Sequence, residues 1–320
     1  MVNRDIIRKS LSTCLRDTSG LNLPGRKVGK VRDIYDLGDR ILLITTDRQS
    51  AFDRVLASIP FKGQVLNQVS AFWFGITEDI VPNHVISIPD PNATLALKCE
   101  VYPVEFIVRD YLTGSTSTSA WTLYSNGSRN ICGNELPEGM VKNQKFPEPI
   151  ITPTTKSEEH DESITPDEIV SRGLMTAREW DRASEIVMKL FKRGIETAAS
   201  HGLILVDTKY ELGRNESGDI ILIDEIHTPD SSRYWISDSY EERYRSGLEP
   251  ENIDKEFLRL WFRNNCDPYN DEVLPQAPDD LIIELSSRYI QLYETITGND
   301  FHPEFDPLER LKINLRGIQD

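Results

Sequence analysis

The apolar run at residues 220–223 stops on two consecutive acids and opens into Asp224-Glu225-Ile226-His227-Thr228-Pro229-Asp230-Ser231-Ser232-Arg233-Tyr234-Trp235. A strand that ends in paired acids and a Pro-broken loop is costly to keep for packing alone, because buried charge needs a partner. Acids at a strand end can hold a divalent cation. Ser232 and Arg233 just beyond can hold a phosphate or carboxylate. The chain therefore has to fold so that residues 224–233 line a site.

The preceding segment, 203–212, reads as a strand, and 219–226 as its partner around a turn at 215–218. Side chains alternate along a strand, so Asp207, Lys209 and Glu211 share one face. If Arg214 pairs with Asp219, Lys209 lies opposite Asp224. One sheet surface then gathers three carboxylates and one ammonium. Acids so clustered repel one another unless a cation joins them, and Mg²⁺ takes one or two carboxylates plus substrate phosphates.

Upstream, residues 30–37 and 40–46 read as two strands, with Gly38-Asp39 as a two-residue hairpin turn. Residues 66–76 read as a helix, with Val69, Phe72, Trp73 and Ile76 at spacings of three and four. Residues 101–109 read as a strand, Pro103 marking an edge or a strand start. The stretch 126–168 is poor in large apolar residues and rich in proline. By itself it reads as a functional or disordered loop. Thr176 to Glu179 is a capping box that opens a helix to about Ser200. Further helices are centred on Ile253–Trp261 and on Leu285–Ile296, the latter stopped by Gly298. Strands, then helices, then a hairpin and more helices give an α+β class rather than a regular βαβ array.

Four other segments gather polar groups at strand ends or in loops. Gly25 to Arg32 combines glycines with four cations, but its spacing and the Val31 after Lys30 exclude a Walker A loop. Such a loop can still lie over phosphates. Asp47 and Ser50 stand in one polar strand end, and Arg109 precedes the Gly114-Ser115 loop in another. Lys156, His160 and Asp161 stand in the proline-rich stretch. No G-x-S-x-G and no recognisable cysteine nucleophile support acyl-enzyme chemistry.

A formal charge of −16 argues against a nucleic-acid binder, which needs a basic face. No apolar run approaches the roughly 20 residues needed to span a bilayer. Cys14, Cys99, Cys132 and Cys266 are far apart, with no C-x-x-C pair, and the first 18 residues lack the apolar core of a secretory signal. A reducing cytoplasm is the expected compartment. Those first residues carry apolar positions at helical spacing and read as a docked helix.

Taken together, the segments resemble the phosphoribosylaminoimidazole-succinocarboxamide synthase (SAICAR synthetase) family of purine biosynthesis. The resemblance runs from Gly29 to about Gly298. It rests on GKVRDIYDLGD (29–39), TDRQSAFD (46–53), VEFIVRDYLTGS (104–115), FPEPIITPTTK (146–156), HDE (160–162), LVDTKYELG (205–213) and DEIHTPDSSRYW (224–235). It implies a small N-terminal sheet lobe, placed at 1–115, over a larger ATP-grasp- or kinase-like lobe, 116–320. It implies an ATP- and Mg²⁺-dependent ligase that joins L-aspartate to carboxyaminoimidazole ribonucleotide, through an acyl phosphate, releasing ADP and phosphate. A monomer or small homo-oligomer would suffice.

The resemblance also implies roles. Lys30 would face the ATP phosphates, and Glu211 and Asp224 would hold Mg²⁺. Asp207 and Lys209 would order the nucleotide and the imidazole substrate. Arg109, Ser115, Ser232 and Arg233 would bind the ribonucleotide phosphate, with Ser117 and Ser119 competing for the part of Ser115. Lys156 and Asp161 would contact the imidazole carboxylate, and Asp47 and Ser50 would border the aspartate pocket. The stretch 126–168 becomes an ordered or ligand-ordered lid. A nucleotide sensor without catalysis is disfavoured by the presence of Lys30, Lys209, Glu211 and Asp224 together.

Overall fold

The computed structural model describes residues 2–52, 54–116, 118–156, 162–253 and 256–318. Asp53, Ser117, His160 and Asp161, all named above, lie outside the described residues. The chain begins with a short helix α1 (Arg4–Lys9) capped by Asn3, shorter than the sequence pattern suggested. Strands β1 (Arg26–Val28), β2 (Arg32–Asp36) and β3 (Arg40–Thr45) come next. Gly38, at φ +97°, makes the expected turn between the last two. A small hairpin, β4 (Arg48–Ala51) and β5 (Arg54–Ser58), leads to helix α2 (Lys62–Ile76). Then β6 (Val85–Asp90) and β7 (Ala93–Leu97) complete an antiparallel sheet of order β1-β2-β3-β7-β6.

Gly63 fixes how α2 meets this sheet. A Cβ there would stand 2.3 Å from the carbonyl oxygen of Thr45, so only glycine lets the helix start against the end of β3.

The second sheet is built on β8 (Glu100–Leu112). Beyond it lie helix α3 (Ala120–Ser125), capped by Ser119, and the short pair β9 (Asn130–Ile131) and β10 (Asn134–Glu135). Next come β11 (Gln144–Ile151) and β12 (Thr154–Thr155). Helices α4 (Pro166–Ser171) and α5 (Ala177–Ser200) each open on a complete capping box, Thr165/Glu168 and Thr176/Glu179. Strands β13 (Leu203–Arg214), β14 (Ile220–Ile223) and β15 (Ser232–Ile236) finish a sheet of order β11-β8-β13-β14, with β12 on β8 and β15 on β13. Helices α6 (Ser237–Arg245), α7 (Glu256–Asn265), α8 (Asp279–Thr297) and α9 (Pro307–Asn314) complete the chain, and α8 ends on Gly298 in the left-handed conformation.

Two sequence expectations change. The stretch 126–168 is not structureless where it is described, because β11 and β12 hydrogen-bond along β8. Strand β8 is central rather than an edge. Pro103 is accommodated where the β8–β13 register shifts, between Glu211↔Glu105 and Gly213↔Val101. The chain passes from the first sheet to the second at Lys98-Cys99, well before residue 115, since β8 belongs with β13.

The even-numbered side chains of β8 (Tyr102, Val104, Phe106, Val108) are buried in the main core with Ala183, Val187, Leu190 and Phe191 of α5. The other face of β8 and β13 carries Glu105, Arg109, Asp207, Lys209 and Glu211. One face is thus paired to a helix, and its charged reverse is left to line a cleft.

Candidate active site

The β13–β14 register differs by one residue from the sequence reading. Arg214 faces Ile220 and Glu211 faces Ile223, so the ladder ends before Asp224. A one-residue slip should carry Asp224 to the opposite face. It does not, because Asp224 takes a left-handed backbone, φ +68°, which redirects it. Its Oδ2 ends 3.7 Å from Lys209 Nζ. The expected cluster therefore forms by another route.

Around Lys209 the charges interlock. Glu105 and Glu211 are direct cross-strand partners, a like-charge pair that is destabilising alone. Lys209 Nζ lies between them, 3.2 Å from Glu105 Oε1 and paired with Glu211. Lys156 also pairs with Glu211. Arg32, reaching over from β2, pairs with Asp224 and places Nη2 2.8 Å from Glu225 Oε1. Burial alone would lower the pKa of Lys209 and of Arg32, but their acids outweigh it and raise both. Burial would raise Asp224, yet Arg32, Lys209 and Lys156 hold it well below the usual carboxylate range. The strand end is also tied to the first sheet: Leu222 N donates to the Pro82 carbonyl at 2.9 Å, and His84 N to that of Leu222 at 3.1 Å.

Along the same face, Asp207 and Arg109 are direct neighbours across β13 and β8. Arg109 Nη1 and Arg233 Nη2 lie 3.5 and 3.3 Å from the same Asp207 Oδ2. Arg109 Nε also donates to Thr152 Oγ1 at 2.8 Å. Ser232 Oγ bonds Thr208 Oγ1 at 2.7 Å. Arg109, Asp207, Thr208, Ser232 and Arg233, with Lys209, Ser231 and Arg259, line a cleft of about 230 Å³. Arg233 and Arg259 also line a neighbouring cavity of about 390 Å³ that Gly114, Ser115 and Thr116 close. Three guanidiniums thus converge where an anion was expected. Ser119 is instead the N-cap of α3, accepting from Thr122 N, which removes it from the contest with Ser115.

The glycine-rich turn after β1 is held through its carbonyls. Arg48 donates from Nη2 to the Gly29 carbonyl at 3.0 Å, from Nε to that of Lys30 at 3.3 Å, and to Asp33 Oδ1 at 2.6 Å. Lys30 itself is exposed. The Thr46-Asp47-Arg48 motif therefore supports this turn from beneath.

Asp47 does not open onto the cleft. It is buried, and its two oxygens accept from Leu15 N at 2.7 Å and Gly63 N at 2.9 Å, joining the N-terminal segment to α2. The bordering role expected of it becomes a structural one. Ser50, on β4, is only partly buried. Burial pushes the Asp47 carboxyl up to about 6 from an ordinary 3.8. Between these values the folded state keeps a proton that the unfolded chain has lost, so this group's contribution falls as pH rises. Relative to Asp47→Asn, the wild type is expected to lose roughly 3 kcal/mol between about pH 4 and about pH 7. Urea titrations across that range check this, and parallel stability curves would refute it.

Sequence reasoning named Arg32 only as one cation of the glycine-rich segment, and missed Glu105, Arg259 and a buried polar chain. In that chain Tyr289 Oη donates to Asp230 Oδ1 at 2.7 Å, and Lys62 Nζ lies 2.7 Å from Asp230 Oδ2. Tyr289 also reaches Gln49 Oε1 at 3.2 Å. Glu105 carried a readable signal, as the one charged position between Val101 and Val108, and Arg32 stood in the cationic segment that follows Gly25. Arg259 and Lys62 lay in helices with nothing local to mark them.

The family model described as SAICAR synthetase matches residues 26–276. A phosphoribosylaminoimidazole-succinocarboxamide synthase of Legionella pneumophila (strain Paris) is 61% identical over 92% of this chain and 94% of its own length. A chloroplastic enzyme of that name from Arabidopsis thaliana is 61% identical over 96% of this chain and 77% of its own. A SAICAR synthase from Saccharomyces cerevisiae, solved in complex with SAICAR, superposes with a TM-score of 0.76 at 34% identity, covering 89% of this chain and 98% of that one. The chain belongs to the SAICAR synthetase family.

Proposed function

We propose that this protein is the ligase that joins L-aspartate to the carboxylate of carboxyaminoimidazole ribonucleotide, with ATP cleaved to ADP and phosphate. The observation that carries the reading is the division of one sheet face into two ends. Glu211, Asp224 and Lys209 form an acid-and-ammonium end under the glycine-rich turn. Arg109 and Arg233 form an anion clamp around Asp207 at the other.

Glu211 and Asp224 offer hard carboxylate oxygens close to a single point, now occupied by the Lys209 ammonium, and so fit Mg²⁺. Bound there, the metal would neutralise charge on phosphate oxygens. Lys30 and Lys209 attract the ATP phosphates. Arg109, Ser115, Ser232 and Arg233, joined by Arg259, hold the ribonucleotide phosphate. Lys156, with Asp161, serves the imidazole carboxylate, and Ser50 borders the aspartate.

The carboxylate oxygen attacks the γ-phosphorus and ADP leaves. The aspartate amine then attacks the acyl carbon, phosphate departs with the bonding pair, and the amine proton passes to that phosphate. Fixed cations and positioning carry this chemistry, since no described side chain is placed as a dedicated base. We place the lobe division at Lys98-Cys99. The four cysteines, all free, agree with a cytoplasmic setting, and no described helix is long and apolar enough to cross a membrane.

The test is coupled ADP release with each substrate omitted in turn. ADP is expected only when ATP, the ribonucleotide and L-aspartate are all present. Equal ADP formation without aspartate, as a phosphotransferase would give, overturns the reading.

A further inference from the structure

The loop that joins the two ends of the site turns at a residue the reaction does not touch. His227 takes φ +51°, a left-handed backbone for a non-glycine residue. Its ring is fully buried. There it shares a hydrogen bond with Tyr210 Oη and meets Trp73 edge-on, with centroids 4.4 Å apart. The His227 carbonyl accepts from Tyr234 Oη at 2.8 Å.

Tyr210 stands between Lys209 and Glu211, and Tyr234 directly follows Arg233. Because side chains alternate, each tyrosine grips from the core side a stretch of backbone that presents charge on the cleft side. Helix α5 makes room for this contact. It carries Gly194, a poor helix former, where a Cβ would stand 2.6 Å from His227 Cε1 and 2.6 Å from Leu205 Cδ2. Nδ1 of the ring has no hydrogen-bond partner among the described residues. Burial lowers the imidazole pKa to about 3, so the ring is neutral at physiological pH.

The geometry points to His227 as a positioning residue, a buried neutral peg that seats the Ser232-Arg233 anion anchor against β13. Strand β13 is the fixed partner, paired on both sides by β8 and β14. Strand β15 is the dependent one. Its ladder to β13 shifts between Leu205 and Asp207, next to Arg233, and its first residue follows the His227 loop. The pin therefore governs the anchor and leaves Lys209 and Glu211 in place. Its importance for the ribonucleotide rests on the ligase reading, but its effect on anion binding does not.

Three variants test this. Tyr210→Phe removes the bond and keeps the ring. Gly194→Ala favours the helix by propensity yet displaces the imidazole. His227→Gln keeps a polar atom near the position of Nε2. Calorimetry with inorganic phosphate, counting only the binding that Arg233→Ala abolishes, is expected to show about tenfold weaker affinity in the first two, the scale of one hydrogen bond. The KM for the ribonucleotide is expected to rise in parallel with no change in the KM for ATP, and His227→Gln should lie nearer the wild type. Both readouts are independent of how much protein is folded. Unchanged phosphate affinity, with only Tm lowered, overturns the assignment, as would an equal rise in both KM values. Failure of the substrate-omission assay with intact phosphate effects would instead remove the ligase reading and leave the pin standing.

Discussion

Asp224→Asn is expected to lower kcat by roughly 10²–10³-fold, the scale seen when one preorganised electrostatic contact is lost at a reacting centre, while the fold survives. The two halves of that expectation have separate grounds. Asparagine keeps the volume and one oxygen but removes the charge that, with Glu211, would bind the metal. Stability is protected because every cation that Asp224 contacts keeps another acid. Arg32 retains Glu225 at 2.8 Å, and Lys209 retains Glu105 and Glu211. No uncompensated buried cation is left, and that is the usual reason a broken ion pair unfolds a protein. Turnover is measured alongside a thermal melt and a magnesium titration. Higher magnesium should recover part of the loss if Asp224 is a ligand. Near-normal turnover would remove Asp224 from the metal site.

Asp224 also marks how much of the site could be read from sequence. The alternation of Asp207, Lys209 and Glu211 on one face was legible, because a strand's period is fixed by its backbone. The register across the turn was not. The structure pairs Arg214 with Ile220, and the acid returns to the cluster only through a left-handed residue. Aspartate is enriched in that conformation, but most aspartates do not adopt it, so the residue type alone did not announce the turn. The stretch 126–168 looked like a loop because it is poor in large apolar residues and β11, its one long strand, carries two prolines. Strands β11 and β12 are held by hydrogen bonds to β8, a partner outside the stretch. The polar motif around Asp47 suggested chemistry, yet Asp47 joins Leu15 to Gly63 and Arg48 carries the glycine-rich turn. A motif can thus be rich in polar groups because it braces a binding loop rather than touches a ligand. Arg259 shows the reverse case. Its place in the cleft depends on how α7 docks, which local pattern does not encode.

The second large effect belongs to Arg233. Two guanidiniums, Arg109 and Arg233, share one carboxylate oxygen of Asp207. One positive charge is therefore left over, presented to a cleft that Arg259 also lines. Removing Arg233 cancels that surplus and leaves Asp207 with Arg109 alone. Charge-assisted hydrogen bonds contribute about 1.5–3 kcal/mol each, and a guanidinium can give two to a phosphate. Arg233→Ala is therefore expected to raise the KM for the ribonucleotide by roughly 10²–10³-fold, with the KM for ATP unchanged. Arg233→Lys should fall between, since it keeps the charge and loses the fork. Stability should hardly move, because the side chain remains 31% exposed and pairs at this level of exposure contribute about 0–1 kcal/mol. Steady-state kinetics with the other substrates saturating, run at two ionic strengths, decides it. The wild-type KM should rise with salt more steeply than that of the alanine variant. A ribonucleotide KM within about twofold of wild type would mean that the phosphate sits elsewhere, because even one charge-assisted bond exceeds that change.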